Sequence, residues 1–231
     1  MSSKSAFAFS EYLRICEEEN EDVLECLKFN QTDLKQYSIL LDNFKKINES
    51  QDSSTELKGK SLEDLVEYIF KKSYIFDIDK NVRTSTNEID LLVKLNKKGI
   101  DFNTSGYISI EKYLLCECKN YNKTVGVTWT GKFYSLLKTS NKNIGIIFSY
   151  HGIAGKKWGS SSGLIRKIHL TSSGKCRILS FALSDFELLR QGTSFARIIE
   201  QKIEELDNDT SYFKDISSHE LEGPNPFNAT E

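Results

Sequence analysis

The segment LLCECKNYNKTVG, residues 114–126, constrains the fold more than any other. Leu114 to Cys118 is a short apolar run of strand-forming residues, yet it contains Glu117, and Lys119 follows two positions on. In a strand, successive side chains alternate between faces, so Glu117 and Lys119 share one face with α-carbons about 6.6 Å apart. Leu114, Cys116 and Cys118 share the other. A strand buried on both faces has no low-cost place for a carboxylate and an ammonium. Such a burial is met by a partner, a metal or a reaction. Taken alone, Glu117 and Lys119 read most simply as a same-face ion pair on a half-exposed sheet. The two cysteines read as small core residues, because Cys-x-Cys on one strand face is a poor chelate and no second pair stands at a zinc-like distance.

The flanking sequence supplies the sheet. GKSLEDLVEYIFKK, from Gly59, places Leu62, Leu65, Val66, Ile69 and Phe70 on one helical face. YIFDIDKNVR and NEIDLLVKL read as strands, Asn96 to Thr104 as a loop, and YISIEKYLLCECK as a long strand region. VTWTGKFYSLLKTS reads as a helix and NIGIIFSY as a central strand. LIRKIHL is ambiguous, CRILSFAL is a last strand, and LSDFELLRQG and TSFARIIEQKIEEL are closing helices. Upstream, residues 9–47 read as two helices, the second capped by Asn30 or Thr32. The polar stretch NESQDSST, 48–55, ends them. The expected organisation is an acidic helical region and linker at 1–55, an α/β domain with a mixed central sheet flanked by helices at 56–206, and an acidic, flexible tail at 207–231.

Charge follows the same division. Residues 1–55 hold 6 Lys/Arg against 11 Asp/Glu, residues 56–206 hold 24 against 16, and residues 207–231 hold 1 against 6. A basic middle between acidic ends fits a core that binds a polyanion. The acidic N-terminal helices suit docking on a partner protein or a second copy, or covering the basic cleft. No apolar run reaches the roughly 20 residues of a membrane helix. The N-terminus lacks a secretory pattern, and five cysteines without framework spacing suit a reducing cytoplasm. No membrane partner is expected.

A second acid gives the Glu117 face a chemistry. NEIDLLV sets Asp90 in another apolar strand, and Asp90 and Glu117 from adjacent strands could share one divalent cation. Hard oxygen ligands suit magnesium, with phosphate oxygens completing the shell. Lys119 beside them would hold or polarise a water and favour developing negative charge on phosphorus. Glu63 and Glu67 lie four apart, on one helical face. Arg83, Thr84 and Ser85, with Asn120, Tyr121, Lys123 and Lys132, could contact a phosphate backbone. Trp129 reads as a core residue before it reads as a base-stacking ring. His151, His169 and His219 show no metal spacing.

Asp90 followed by Glu117-Cys118-Lys119 resembles the PD-(D/E)xK nuclease signature. KGKSLEDLVEYIF, NVRTSTNEIDLLV, CECKNYNKTVGVTWTGKF and GIIFSYHGIAG, in that order, resemble the Mrr-like branch of restriction endonucleases. The resemblance covers residues 58–205. Glu88-Ile89 stand where the superfamily name has its proline, and Gly131-Lys132 where the branch often has an arginine. The resemblance implies a restriction-endonuclease-like fold preceded by an N-terminal helical hairpin. It implies a metal-dependent endodeoxyribonuclease of restriction or anti-phage defence, using Mg2+ with Mn2+ as a substitute. The implied ligands are Asp90, Glu117, the Cys118 carbonyl and Glu63, with Lys119 activating water. The implied nucleic-acid contacts are Arg83, Thr84, Asn120, Lys123 and Lys132. A homodimer, or a partner docked through 1–55, fits double-strand cleavage. The alternative is a catalytically inactive nucleic-acid-binding or assembly subunit of a defence or repair complex.

Overall fold

In the computed structural model the residues described are 11–16, 18–19, 22–83, 88–155 and 158–208, those at 81–83, 88 and 89 by backbone alone. Residues 11–16 are helical and Val23–Leu27 form a 3-10 turn capped by Asp22. Helix α1 (Gln31–Glu49) follows, its Asn30 cap accepting the Asp33 amide. Helix α2 (Thr55–Lys72) begins at a Ser54 cap, whose side chain accepts the Leu57 amide. It thus starts four residues before Gly59, so Gly59 sits inside the helix and the linker shrinks to a few polar residues.

Five strands make one mixed sheet in the order β1-β2-β3-β4-β5. They are β1 (Phe76–Arg83), β2 (Glu88–Leu95), β3 (Tyr113–Cys118), β4 (Ile144–Phe148) and β5 (Arg177–Phe181). The first three pair antiparallel, whereas β3, β4 and β5 pair parallel. Helices α4 (Val127–Thr139) and α5 (Ser161–Thr171) are the crossovers of the parallel part. Helices α6 (Leu183–Arg190) and α7 (Phe195–Asp207) close the chain, and α3 (Lys97–Thr104) joins β2 to β3.

Alternation along the strands divides the apolar residues into two cores. Cys116, Ile146, Phe148 and Phe181 face one way, onto Leu65 and Phe70 of α2 and Phe186 and Phe195 of the closing helices. Leu115, Ile147 and Ile178 face the other way, onto Phe133 and Leu137 of α4 and Ile165 and Ile168 of α5. Tyr37, Leu41 and Phe44 of α1 are fully buried in the first core, and the Tyr37 hydroxyl donates to the Phe186 carbonyl at 2.7 Å. The N-terminal helices and the sheet therefore share one hydrophobic interior. Gly145 allows α4 to lie close on β4, since a β-carbon there would fall 2.6 Å from the Phe133 ring.

Two expectations differ, and one ambiguous segment takes a definite form. Residues 97–104 are helical, with Asn96 capping through its acceptance of the Gly99 amide. LIRKIHL belongs to α5. YISIEK, before β3, is not strand. Its Ile108 and Ile110 are buried as alternation predicts, but Asn103 donates to both their carbonyls and Glu200 accepts from the Ser109 amide and hydroxyl. Side chains take the place of a neighbouring strand there. Among the described residues no helix is long and apolar enough to cross a membrane.

Candidate functional site

Leu91 pairs with Cys116 and Leu92 with Leu115, so the next step of the β2–β3 register sets Asp90 opposite Glu117. Directly opposed side chains in an antiparallel pair have β-carbons about 4.5–5.5 Å apart and share a face. That face is the one covered by α4 and α5. One Asp90 carboxylate oxygen, Oδ2, accepts the Cys118 amide at 2.9 Å, which fixes the acid at the end of β3. Lys119 Nζ lies 2.5 Å from Glu117 Oε1, and the two side chains are 19% and 15% exposed. Lys119 also donates its amide to the Phe148 carbonyl, so the lysine stands where β3 leaves its ladder with β4.

Among the described residues, electrostatics at the site reflect two acids and one cation. Burial first, and then the charge of Asp90, hold the Glu117 carboxyl above its ordinary value; the Lys119 contact opposes this without cancelling it. Burial works to lower the Lys119 ammonium. The hydrogen bond and charge of Glu117, with Asp90, outweigh it, and the lysine ends above its ordinary value. On the other face, burial pushes the Cys116 and Cys118 thiols well up, as expected of core residues. All five cysteines are free.

A cleft of about 380 Å³ opens between β3, β4 and α4 with Glu117 and Lys119 in its wall. Its apolar part comes from Val125, Phe133, Leu136 and Ile147. Trp129 and Lys132, on the first turns of α4, complete it. Trp129, a core residue by sequence pattern, is instead 38% exposed in the first turn of α4, as is Val127 before it. Lys119 Nζ lies 5.0 Å and Lys132 Nζ 4.4 Å from its ring centroid, and the Tyr121 ring is 6.0 Å away.

The remaining expected residues are dispersed. Glu63 is exposed on α2, which covers the opposite face of the sheet, and its charge bears on Cys118 as a smaller contribution after burial and Asp90. No hydrogen bond joins Glu63 to Asp90 or Glu117 among the described residues. Glu67, its neighbour one turn on, is paired with Lys71 and Lys80. Asn120 is buried, and its amide donates to the Lys58 carbonyl at 2.6 Å; it ties the loop after β3 to α2. That engagement leaves it badly placed for a backbone phosphate. Lys123 is exposed beside a separate cleft of about 300 Å³. Arg83 ends β1 opposite Glu88, and Thr84 and Ser85 lie outside the described residues.

Residues not singled out from sequence also shape this end of the sheet. Lys58 is buried, with Nζ donating to Asn122 Oδ1 at 2.9 Å and to the Asn48 carbonyl. Ser149, directly after β4, is buried with its hydroxyl unpartnered among the described residues. Neither carries a local pattern that marks it, since both depend on contacts across the fold.

Among the described residues no group of three or more His, Cys, Asp or Glu side chains is arranged to hold a metal ion. The Asp90–Glu117 pair is nonetheless a donor set of the magnesium kind. That ion is bound through one or two carboxylates, with waters and substrate phosphates filling the remaining positions. Asp90 Oδ1 and Glu117 Oε2 accept no hydrogen bond among the described residues, and the mutual repulsion of the acids is what a cation would relieve. Comparison of the chain with family models, with curated proteins and with solved structures gave no match.

Proposed function

We propose that the chain is a metal-dependent endodeoxyribonuclease with a restriction-endonuclease-like core, acting in the cytoplasm in defence against foreign DNA. The observation that carries this reading is the placing of Asp90 opposite Glu117 on adjacent strands, with Lys119 against Glu117 at the rim of an open cleft. A structural ion pair alone needs no second acid facing it. Asp90 and Glu117 would hold a magnesium ion; the resemblance adds the Cys118 carbonyl and, through water from α2, Glu63, whose charge extends as far as Cys118. When bound, such an ion supplies Lewis-acid stabilisation of charge on the phosphoryl oxygens and a more acidic water.

The chain's own groups have distinct tasks. Lys119 orients a water toward phosphorus and offsets the negative charge that develops there. The Cys118 amide holds Asp90 in position. Lys132 gives the nucleic-acid backbone a contact on the α4 side, and Lys123 offers another at the neighbouring cleft.

The test is nicking of supercoiled plasmid by the purified chain in magnesium, beside Asp90→Asn, Lys119→Met and an EDTA control. Cleavage lost in both variants and in EDTA supports the reading. Cleavage that survives both substitutions would show that the strand motif is an ion pair only. Binding of DNA without cleavage under any of these conditions favours the inactive binding subunit.

A further inference from the structure

Trp129 is the feature that the nuclease reading leaves unexplained. A tryptophan with a substantial exposed area stands 5.0 Å from the ammonium of the reactive lysine, in the wall of the same cleft. Phosphate binding does not require an aromatic ring. Nor does it require the apolar floor of Val125, Phe133 and Ile147 beneath it. Lys132, also against the ring at 4.4 Å, is exposed on a flexible stem and is free to exchange the ring for a phosphate. Aromatic faces beside cationic side chains are how proteins take single nucleic-acid strands, with bases stacking on rings while lysines follow the backbone.

We propose that this cleft accepts one unstacked nucleobase of the strand being cut, stacked on Trp129 next to the scissile phosphate. The preferred substrate is therefore single-stranded or locally unpaired DNA. This inference rests on the nuclease reading and names its substrate. A base held inside a regular duplex is stacked and paired and cannot lie on Trp129, and extruding it is least costly where pairing is already lost. The cleft, at about 380 Å³, has room for a purine ring with its sugar at the mouth.

The chain has two tryptophans, so Trp158→Phe leaves Trp129 as the sole indole reporter. In that background, with calcium in place of magnesium, Trp129 fluorescence is titrated with a short oligothymidylate. The comparison ligands are an abasic deoxyribose-phosphate chain of the same length and a duplex. The expected result is quenching by the oligothymidylate, with affinity above that for the duplex and roughly 10- to 100-fold above that for the abasic chain, the worth of one stacked base. Trp129→Ala, followed by polarisation of a labelled oligothymidylate, should lose the same factor, and Trp129→Phe should recover most of it. Equal affinity for the oligothymidylate and the abasic chain overturns the proposal, as does a Trp129→Ala variant that binds like its parent. If Asp90-dependent nicking persists in that case, only the base pocket falls. Absence of both binding and nicking overturns the nuclease reading along with it.

Discussion

Replacing Lys119 by methionine removes the cation paired with Glu117 while keeping an apolar stem against Trp129. The ion pair that is broken is largely buried, with 19% and 15% of its side chains exposed. Removing one partner of a buried pair costs about 3–5 kcal/mol, because the other charge stays behind uncompensated. Glu117 is worse placed than most, since Asp90 already repels it. Loss of the ammonium–indole contact adds about 0.5 kcal/mol. Residual solvent access favours the lower end, for a total of about 3 kcal/mol. In a chain of this size each kcal/mol moves the melting temperature by roughly 2–4 °C, so the variant should melt about 6–12 °C lower in EDTA. A magnesium ion at ten times its dissociation constant returns about 1.4 kcal/mol, and the variant should gain more than its parent because the Lys119 charge no longer offsets its acids. Circular-dichroism melts in EDTA and in a magnesium series measure both quantities. Adding Glu117→Gln to Lys119→Met should recover much of the loss, since the two sites couple directly. A variant that melts within about 2 °C of its parent, on the same scale, refutes the idea that Lys119 compensates a buried acid. A magnesium effect absent from every protein refutes the cation site.

Asp90→Asn keeps an acceptor for the Cys118 amide, so the protein should melt within about 1 kcal/mol of its parent while plasmid nicking falls at least 100-fold, on the order of losing one electrostatic catalytic group. Gly145→Val drives a side chain into Phe133 and Leu137 and should cost about 1–3 kcal/mol in urea denaturation, with α4 and its Trp129 displaced. Tyr37→Phe removes the hydroxyl that donates to the buried Phe186 carbonyl and should cost about 0.5–1.5 kcal/mol in the same assay; no loss would mean that this bond does not hold α1 to the interior. Asp33 is held below the usual carboxylate value first by the Lys72 hydrogen bond and then by Tyr74. A folded value below the unfolded one means its contribution is complete above about pH 4 and is lost as pH falls through the folded value. Asp33→Asn should therefore be less stable than its parent at pH 7, by about 1–3 kcal/mol, and the gap between the two should narrow as pH falls below about 4.

What was legible in the sequence was whatever rests on short-range pattern. The apolar face of α2, the strands β1, β2, β4 and β5 and the Asn30 cap follow from periodicity and capping chemistry. The opposition of Asp90 and Glu117 was legible as a possibility, because both stand among apolar residues with the wrong chemistry for a core. What was hidden depends on contacts distant in sequence. Helix α3 carries a glycine whose missing β-carbon lets it meet the Ile75 carbonyl, a reason for glycine that propensity counts against a helix. The strand-like alternation of Ile108 and Ile110 is real burial, yet Asn103 and Glu200 bond that backbone, and neither is near enough in pattern to be read as its partner. Trp129 reads as core because hydrophobicity alone cannot tell a core position from an exposed first helical turn.

The site sits where the sheet changes hand of pairing. Strand β3 is antiparallel to β2 on one side and parallel to β4 on the other. The antiparallel side supplies Asp90, because β2 starts where β3 ends. The parallel side supplies the cleft, because a parallel neighbour requires a crossover, and α4 is that crossover. A purely antiparallel sheet would have closed this end with a hairpin and left no helix to carry Trp129 and Lys132 over it. Ligands of open α/β sheets gather at the carboxyl ends of strands where the connection pattern reverses, and Glu117 and Lys119 stand at that end of β3. The buried N-terminal helices hold the opposite face. Tyr37, Leu41 and Phe44 brace the helices beneath β3 and β4, so removing residues 1–55 would take away part of the floor on which the acid pair is positioned. The described N-terminal residues pack on the face of the sheet opposite the cleft, so the expected acidic cover over that cleft is not the role they take here; they brace the site from behind.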